Sequence, residues 1–297
     1  MERERRLGLG LEDFSHLFLS PATDVETPAG DTDRANAAGA ADLSGEGTAA
    51  SPPVICIAAD RKVKERASLA LNLALGIARR GKRVLLFDAD FSHPRLWTRT
   101  GSSAHGSILS VISGNGEEPP PAECADGVRL ITLDMDVAGL ECLDESRQSL
   151  LSRWFATAEQ EADIVLVAAS PNLSCQTIAV LKASRDVVVV TPQNANDMVN
   201  AYGVIKSVVQ VNDEARVGIV SSRIEVRDQS EAVFGKMERI VGQFLGKPLH
   251  HYGHIPADTR RSLSRAKRSV FCAYDVAVRD GALCCGNFAV HSANGRG

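Results

Sequence analysis

The sequence predicts an α/β domain with a doubly wound, mostly parallel sheet and helices on both faces. Short apolar segments alternate with helical ones, the apolar segments are rich in β-branched residues, and turn residues bound them. Such alternation implies right-handed crossovers and a sheet that is covered on both sides. The segments predicted as strands are 54–58, 83–88, 128–133, 163–169, 186–191, 216–221 and 251–256.

The first helix is predicted from about Lys64 to Arg80. Leu69, Leu73 and Ile77 recur at helical spacing and mark its buried face. Gly81 follows, and a glycine there can end the helix in a left-handed turn. Because ligands of doubly wound domains bind at the carboxyl ends of the strands, the turn before this helix is the expected place for an anion.

Composition restricts the classes of protein to consider. The chain has 297 residues, of which 44% are hydrophobic, and a net charge of −4, so it has no general attraction for nucleic acid or anionic lipid. It contains no apolar run of about eighteen residues and no signal-peptide pattern, and we therefore expect a cytoplasmic protein. The 7 cysteines are scattered and lack paired spacing, which indicates reduced thiols, mostly in the core.

Residues 1–20 are predicted to be a short amphipathic docking peptide. Their apolar side chains fall on one face of a helix that would fold onto a partner or onto its own domain, with a frayed terminus as the alternative. The side chains on that face are Leu7, Leu11, Phe14 and Phe18.

Three further segments follow the peptide. Residues 21–53 are rich in small and polar residues and cannot bury enough apolar surface to fold, so they are predicted to be a disordered linker. A linker of this length would let the peptide reach roughly 30 Å from its anchor. The α/β domain is expected over 54–275, and 276–297 is interpreted as a variable tail.

The turn between the first strand and the first helix lacks the residues that a phosphate site needs. A working phosphate loop has glycines that let the backbone approach, a lysine that reaches the phosphates, and a hydroxyl that binds Mg²⁺. Over residues 58–67 this turn reads AADRKVKERA, with no glycine, serine or threonine. The loop chemistry is therefore predicted to be lost.

Residues 54–90 resemble the opening of MinD/ParA-type P-loop ATPases, through the NLA triplet of the helix and the DAD triplet after the second strand. The resemblance implies a P-loop NTPase fold with ATP and Mg²⁺ as cofactors. In this register Arg61 stands at the family's signature lysine, Arg66 at its P-loop lysine and Ala67 at the Mg²⁺-binding hydroxyl. Side chains replace three loop glycines, namely Lys62, Val63 and Glu65.

Two more elements of the family's nucleotide site are replaced. The strand 163–169 runs into Ser170 without the expected aspartate, and Ser222 stands where the family has an adenine-reading asparagine. The resemblance leaves Asp88 and Asp90, which match the aspartates of the first switch, the second of which orients the attacking water. Without phosphate and Mg²⁺ such a carboxylate has nothing to act on.

We therefore predict a pseudo-ATPase that needs no cofactor. The remnant catalytic residue is Asp90, and the degenerate nucleotide site comprises Arg61, Arg66 and Asp88. Because both arginines keep a positive charge, weak ATP/Mg binding and residual ATPase activity remain the alternative, although a guanidinium does not replace an ammonium in a tight phosphate cradle.

The downstream sequence is similar to the flagellar-number regulators within this family. The similarity rests on Thr191-Pro192, Asp197, the AY pair at 201–202, the VIK triplet at 204–206, and the GHIPAD segment at 253–258. In that branch a short N-terminal segment engages a partner GTPase, a place that residues 1–20 occupy here. The resemblance implies a regulator of flagellar or polysaccharide assembly that docks proteins or pairs with an intact paralogue. Docking would use this peptide and the switch-side surface, which is the side of the domain that carries Asp88 and Asp90.

Other functions stay open at this point. Residues 88–96 also resemble the DADxRxPxL motif of polysaccharide tyrosine autokinases, although Ser92 replaces the arginine and tyrosines are few. The basic stretch 260–268 would suit a DNA- or membrane-surface adaptor, but a solvated face is the simpler reading. The tail lacks a basic amphipathic helix, which argues against direct membrane anchoring and for recruitment by a partner.

Three histidines near the carboxyl terminus of the domain are not predicted to bind a metal. On a regular strand His250 and His254 would face one side and His251 the other, and the sequence places no cysteine or carboxylate nearby to complete a ligand set. We therefore predict no metal site.

Overall fold

The computed structural model describes residues 51–90, 96, 111, 121–125, 127–132, 144–171, 175–257, 277–279 and 282–284. The predicted docking peptide, nearly all of the predicted linker, the basic stretch at 260–268 and most of the tail lie outside these residues.

An eight-stranded sheet forms the centre of the described domain. Its strand order is β3-β4-β2-β5-β1-β6-β7-β8, and every neighbouring pair is parallel except β3 and β4. The strands are β1 (Val54–Ala59), β2 (Val84–Ala89), β3 (Ala122–Ala125), β4 (Val128–Thr132), β5 (Ile164–Ala169), β6 (Asp186–Pro192), β7 (Arg216–Ile224) and β8 (His250–Pro256). All predicted strands are confirmed, while β3 was missed because it is short and contains a polar residue and a register irregularity.

Helices connect most of the strands. They are α1 (Glu65–Ala78), α2 (Glu145–Gln160), α3 (Cys175–Ala183), α4 (Ala195–Val211) and α5 (Arg227–Leu245). Local caps fix their ends: the Asp144 and Asn194 side chains accept bonds from helix amides at the starts of α2 and α4, and Gly246 ends α5 at φ 63°. Gly81 has φ 80°, as predicted for the residue that closes the first helix.

Two apolar clusters cover the two faces of the sheet, which confirms the doubly wound class. One lies under α1, where Leu69, Leu73 and Ile77 pack on β1 and β2 as their spacing predicted. The other joins the sheet to α2, α3, α4 and α5. Every residue of β1, β2 and β5 is buried, so these central strands have no solvent-facing side. In the tail, β9 (Ala277–Arg279) and β10 (Ala282–Cys284) form an antiparallel pair.

The last strand of the sheet departs from the predicted alternation. His251 pairs with Ile219 and His254 with Ser221, so β8 has one residue more than β7 between these pairs. Gly253 lies within this bulge at φ 104°, a conformation that favours glycine. As a result Tyr252 and Ile255 both join the cluster under α1.

The predicted facing is wrong for His254, whereas His250 and His251 do face opposite sides of the sheet. His251 stacks on Phe234 of α5, and His250 stacks on Tyr252. His251 lies near enough to His254 for that ring to lower its pKa. The bulge, which the alternating pattern does not reveal, is the physical reason for the difference.

Candidate functional site at the carboxyl edge

The loop between β1 and α1 bonds to itself. The Val63 amide donates to the Asp60 carbonyl at 2.9 Å, and the Lys62 amide donates to Oδ1 of the Asp60 side chain at 3.0 Å. The Val63 side chain is buried in the cluster under α1, on the inside of the loop. Two amides that a phosphate loop would direct at an anion therefore already have acceptors within the turn.

Arg66 and Asp90 form a buried ion pair. Arg66 belongs to the first turn of α1, Asp90 follows β2, and Nη2 of the arginine donates to Oδ2 of the aspartate at 2.6 Å. Both side chains are more than nine-tenths buried, at 8% and 9% exposure. Their other atoms, Nε of Arg66 and Oδ1 of Asp90, have no hydrogen-bond partner in the described part of the chain. The structure thus brings two of the predicted site residues into contact.

The Asp88 carboxylate accepts hydrogen bonds from two backbone amides. Its Oδ2 accepts from the Leu96 amide at 2.8 Å, and its Oδ1 accepts from the Asp90 amide at 3.3 Å. The carboxylate is buried, at 1% exposure, and it orders the chain that leaves β2. In this structure Asp88 is therefore a positioning residue for the segment that carries Asp90.

A second ion pair joins the start of α1 to the end of β7. Nε of Arg223 donates to Oε1 of Glu65 at 2.9 Å, across 158 positions of sequence. Arg223 adopts φ 62°, the only positive φ among the described non-glycine residues. In the sequence, Glu65 stands out only as one of the three side chains that replace loop glycines. Its partner could have been sought among the cations that follow neighbouring strands, because a carboxylate buried at this edge needs one.

The remaining predicted positions take no part in these ion pairs. Arg61 is exposed and forms no ion pair within the described residues. Ala67 is buried and offers no hydroxyl, and Ala169 at the end of β5 pairs with Ala89. Ser222 is fully buried, and its hydroxyl has no partner in the described residues.

These groups do not fit a magnesium-bound nucleotide phosphate. The loop amides of Lys62 and Val63 are satisfied internally, the Glu65 carboxylate lies at the positive end of α1, and Arg66 is held by Asp90. A carboxylate at a helix amino terminus takes the electrostatic place that a phosphate would have. The two ion pairs can hold together the segments that follow β1 and β2 and the end of β7.

Several groups that do not belong to this edge have pKa values that burial shifts. Burial raises the pKa of the Cys56 thiol, in the middle of β1, to about 12. The pKa of His251 is lowered, mainly by burial, and its Nε2 lies 3.0 Å from the Ser230 hydroxyl. Cys56 is thus an unreactive core thiol, as the sequence analysis expected of most cysteines.

The described residues contain neither a candidate metal cluster nor a membrane-spanning helix. No group of three or more histidine, cysteine, aspartate or glutamate side chains in this part of the chain is arranged to hold a metal ion. Within the same residues, no helix has the length and apolarity needed to cross a bilayer.

Comparison with known proteins identifies the family. The AAA domain family matches residues 54–220, more than half of the chain. The antiactivator FleN of Pseudomonas aeruginosa is 22% identical over 223 residues, covering 74% of this chain and 80% of FleN. The flagellum site-determining protein YlxH of Helicobacter pylori is 24% identical over 200 residues, covering 64% of this chain and 65% of YlxH.

A solved structure shows the same fold. The cell division ATPase MinD of Pyrococcus furiosus superimposes with a TM-score of 0.54 at 16% identity, covering 71% of this chain and 86% of that one. The chain therefore belongs to the AAA domain family, as a MinD/ParA-type P-loop protein close to the flagellar-number regulators.

Proposed function

We propose that this chain is a non-catalytic MinD/ParA-type regulator that acts by docking a protein partner. The observation that carries the proposal is the buried ion pair between Arg66 and Asp90. In the family register Arg66 stands at the lysine that reaches phosphate, and Asp90 at the carboxylate that orients water. Each residue neutralises the other, so neither is available for the role that its position has in an ATPase.

The energetics of the pair favour this reading over residual ATP turnover. A phosphate that took Arg66 would leave Asp90 buried without its cation, at a cost of about 3–5 kcal/mol. It would also have to compete with Asp60 for the amide of Lys62 and approach Glu65, whose carboxylate repels it. Binding therefore requires breaking at least two sets of existing contacts.

The relatives support a role in placing or assembling a surface structure. FleN is an antiactivator and YlxH is a flagellum site-determining protein. We assign this chain to the same type of process, flagellar or polysaccharide assembly, with a protein as its partner. The docking elements are the peptide 1–20 and the switch-side surface, and the protein acts from the cytoplasm, recruited to the membrane by its partner.

Loss of nucleotide control has a consequence for assembly. In an intact MinD/ParA protein, ATP lies between two subunits and holds them together, so a chain that binds no ATP lacks this link. We propose a monomer, a nucleotide-independent dimer, or a heterodimer with an intact paralogue. Self-association that appears in a sizing column only with ATP would contradict the proposal.

The decisive experiment is a calorimetric titration of the full chain with ATP and Mg²⁺. We expect no binding heat at millimolar ATP. The control is Asp90→Asn, which keeps the shape of the side chain but releases Arg66, and which should gain weak, salt-sensitive binding if the pair is what withholds the cation. Micromolar binding by the unaltered chain, or hydrolysis that Asp90→Ala abolishes, would overturn the proposal and favour a residual ATPase.

A further inference from the structure

A groove between α4 and α5 is a surface that the proposed function does not use. It has a volume of about 420 Å³, and its lining atoms are mostly apolar. It lies on the side of the sheet opposite α1, away from the Arg66–Asp90 pair. The lining residues are Gln193, Ala195, Met198, Val199, Tyr202, Lys236, Arg239 and Ile240.

The apolar part of this groove reaches solvent. Val199 is 69% exposed, which is unusual for a valine beside a preformed apolar depression. Two cations, Lys236 and Arg239, border the groove on α5, no acidic residue lines it, and neither cation forms an ion pair in the described part of the chain. An occupant should therefore combine large apolar side chains with nearby carboxylates.

The amino-terminal segment of this same chain has that chemistry. Leu7, Leu11, Phe14 and Phe18 are spaced for one face of a helix, and Glu12 and Asp13 directly precede Phe14. From the first to the last of these apolar residues a helix would extend about 16 Å. The α4 residues that line the groove, from Ala195 to Tyr202, extend about 10 Å, so such a helix can lie along the groove and extend past its end.

The chain is also long enough to reach the groove. β1 begins at Val54, at the amino edge of the sheet, and one strand, β6, separates it from β7. Strand length, strand spacing and the diameter of a helix place the groove roughly 25 Å from Val54. A flexible linker over 21–53 has a root-mean-square reach of about 30 Å, which includes this distance.

We propose that residues 1–20 bind as an amphipathic helix in the α4–α5 groove of their own chain. Phe14 fills the apolar depression beside Val199, and Asp13, on the adjacent flank of the helix, faces Lys236 and Arg239. Tethering gives the peptide an effective concentration in the millimolar range, so a weak intrinsic affinity is enough to hold it. The peptide is then released only when a partner competes for it or for the groove.

Photo-crosslinking of the full chain tests this placement. Phe14 is replaced by benzoylphenylalanine, which keeps an aromatic group at that position, and the products are mapped by mass spectrometry. We expect a product of monomer mass that joins residue 14 to a peptide within 193–202 or 236–240. Products of dimer mass alone, or monomer products joined elsewhere, would overturn the intramolecular assignment.

Two groove variants sharpen the experiment. Val199→Glu places a charged carboxylate in the apolar depression that Phe14 fills and removes the burial of one valine, so the crosslinking yield should fall about tenfold. Val226→Glu makes the same change at a valine that is 56% exposed but does not line the groove, and its yield should stay unchanged. Equal yields in both variants would refute the site even if residue 14 is found near α4. The result does not depend on ATP binding, so this inference and the proposed function can fail separately.

Discussion

The middle of the sheet and its carboxyl edge are both closed to solvent, but different side chains fill them. The central strands bury apolar residues throughout their length, apart from Asp88 near the end of β2. At the carboxyl edge, just beyond the ends of β1 and β2, the charged residues Arg66, Asp90 and Glu65 are buried. An apolar residue in the middle needs only a neighbour of the right size, whereas each charge at the edge needs one particular partner.

The largest expected effect is at the edge. Asp90→Ala should destabilise the domain by about 3–5 kcal/mol, because it leaves the Arg66 guanidinium buried without its anion. Urea unfolding of the full chain measures this loss. Arg66→Met combined with Asp90→Leu removes both charges and should recover most of it. A double variant as unstable as Asp90→Ala would show that packing, and not the unpaired charge, dominates at this site.

The next effect is inside the sheet, at Gly218 of β7, which pairs with the marginal strand β8. A Cβ at this position would lie 2.3 Å from the Tyr252 ring and 2.8 Å from the His250 carbonyl oxygen. Gly218→Ala should therefore cost about 1–3 kcal/mol through overpacking, measured by thermal unfolding. Gly242→Ala on α5 is the matched control, because its Cβ would have no atom within 4 Å. That variant should be stabilised by about 0.5–1 kcal/mol from helix propensity, and equal losses at both glycines would rule out the steric explanation.

The smallest effect returns to the edge, at the partly exposed pair of Glu65 and Arg223. Since 40% of the Arg223 side chain is exposed, a double-mutant cycle with Glu65→Gln and Arg223→Gln should give a coupling energy of about 1 kcal/mol or less. Arg223→Gly should be more stable than Arg223→Ala by about 1 kcal/mol, because φ 62° is unstrained for glycine alone. Equal stability of these two variants would show that the backbone relaxes when the side chain is lost.

The same contrast explains what the sequence could predict. Hydrophobic periodicity located the central parallel strands, because burial on both faces produces continuous apolar runs that are visible locally. The resemblance to the family singled out Arg66 and Asp90 but did not predict the ion pair between them, across 24 positions of sequence. It did not reveal that Arg223 would reach Glu65, since this pair depends on strand order and on a left-handed residue after β7. The bulge at Gly253 could not be predicted for a similar reason, because one inserted residue leaves no periodic pattern in the sequence.

The two margins of the sheet bear on how the protein behaves at high concentration. An exposed flat strand can recruit a strand from another molecule and begin aggregation. Here β3 is only four residues long and has an irregular register with β4, and β8 is bulged at Gly253 and ends at Pro256. Short length, a bulge and a proline each interrupt the ladder that an incoming strand would extend. Copies of this chain should therefore resist joining through the margins of this sheet.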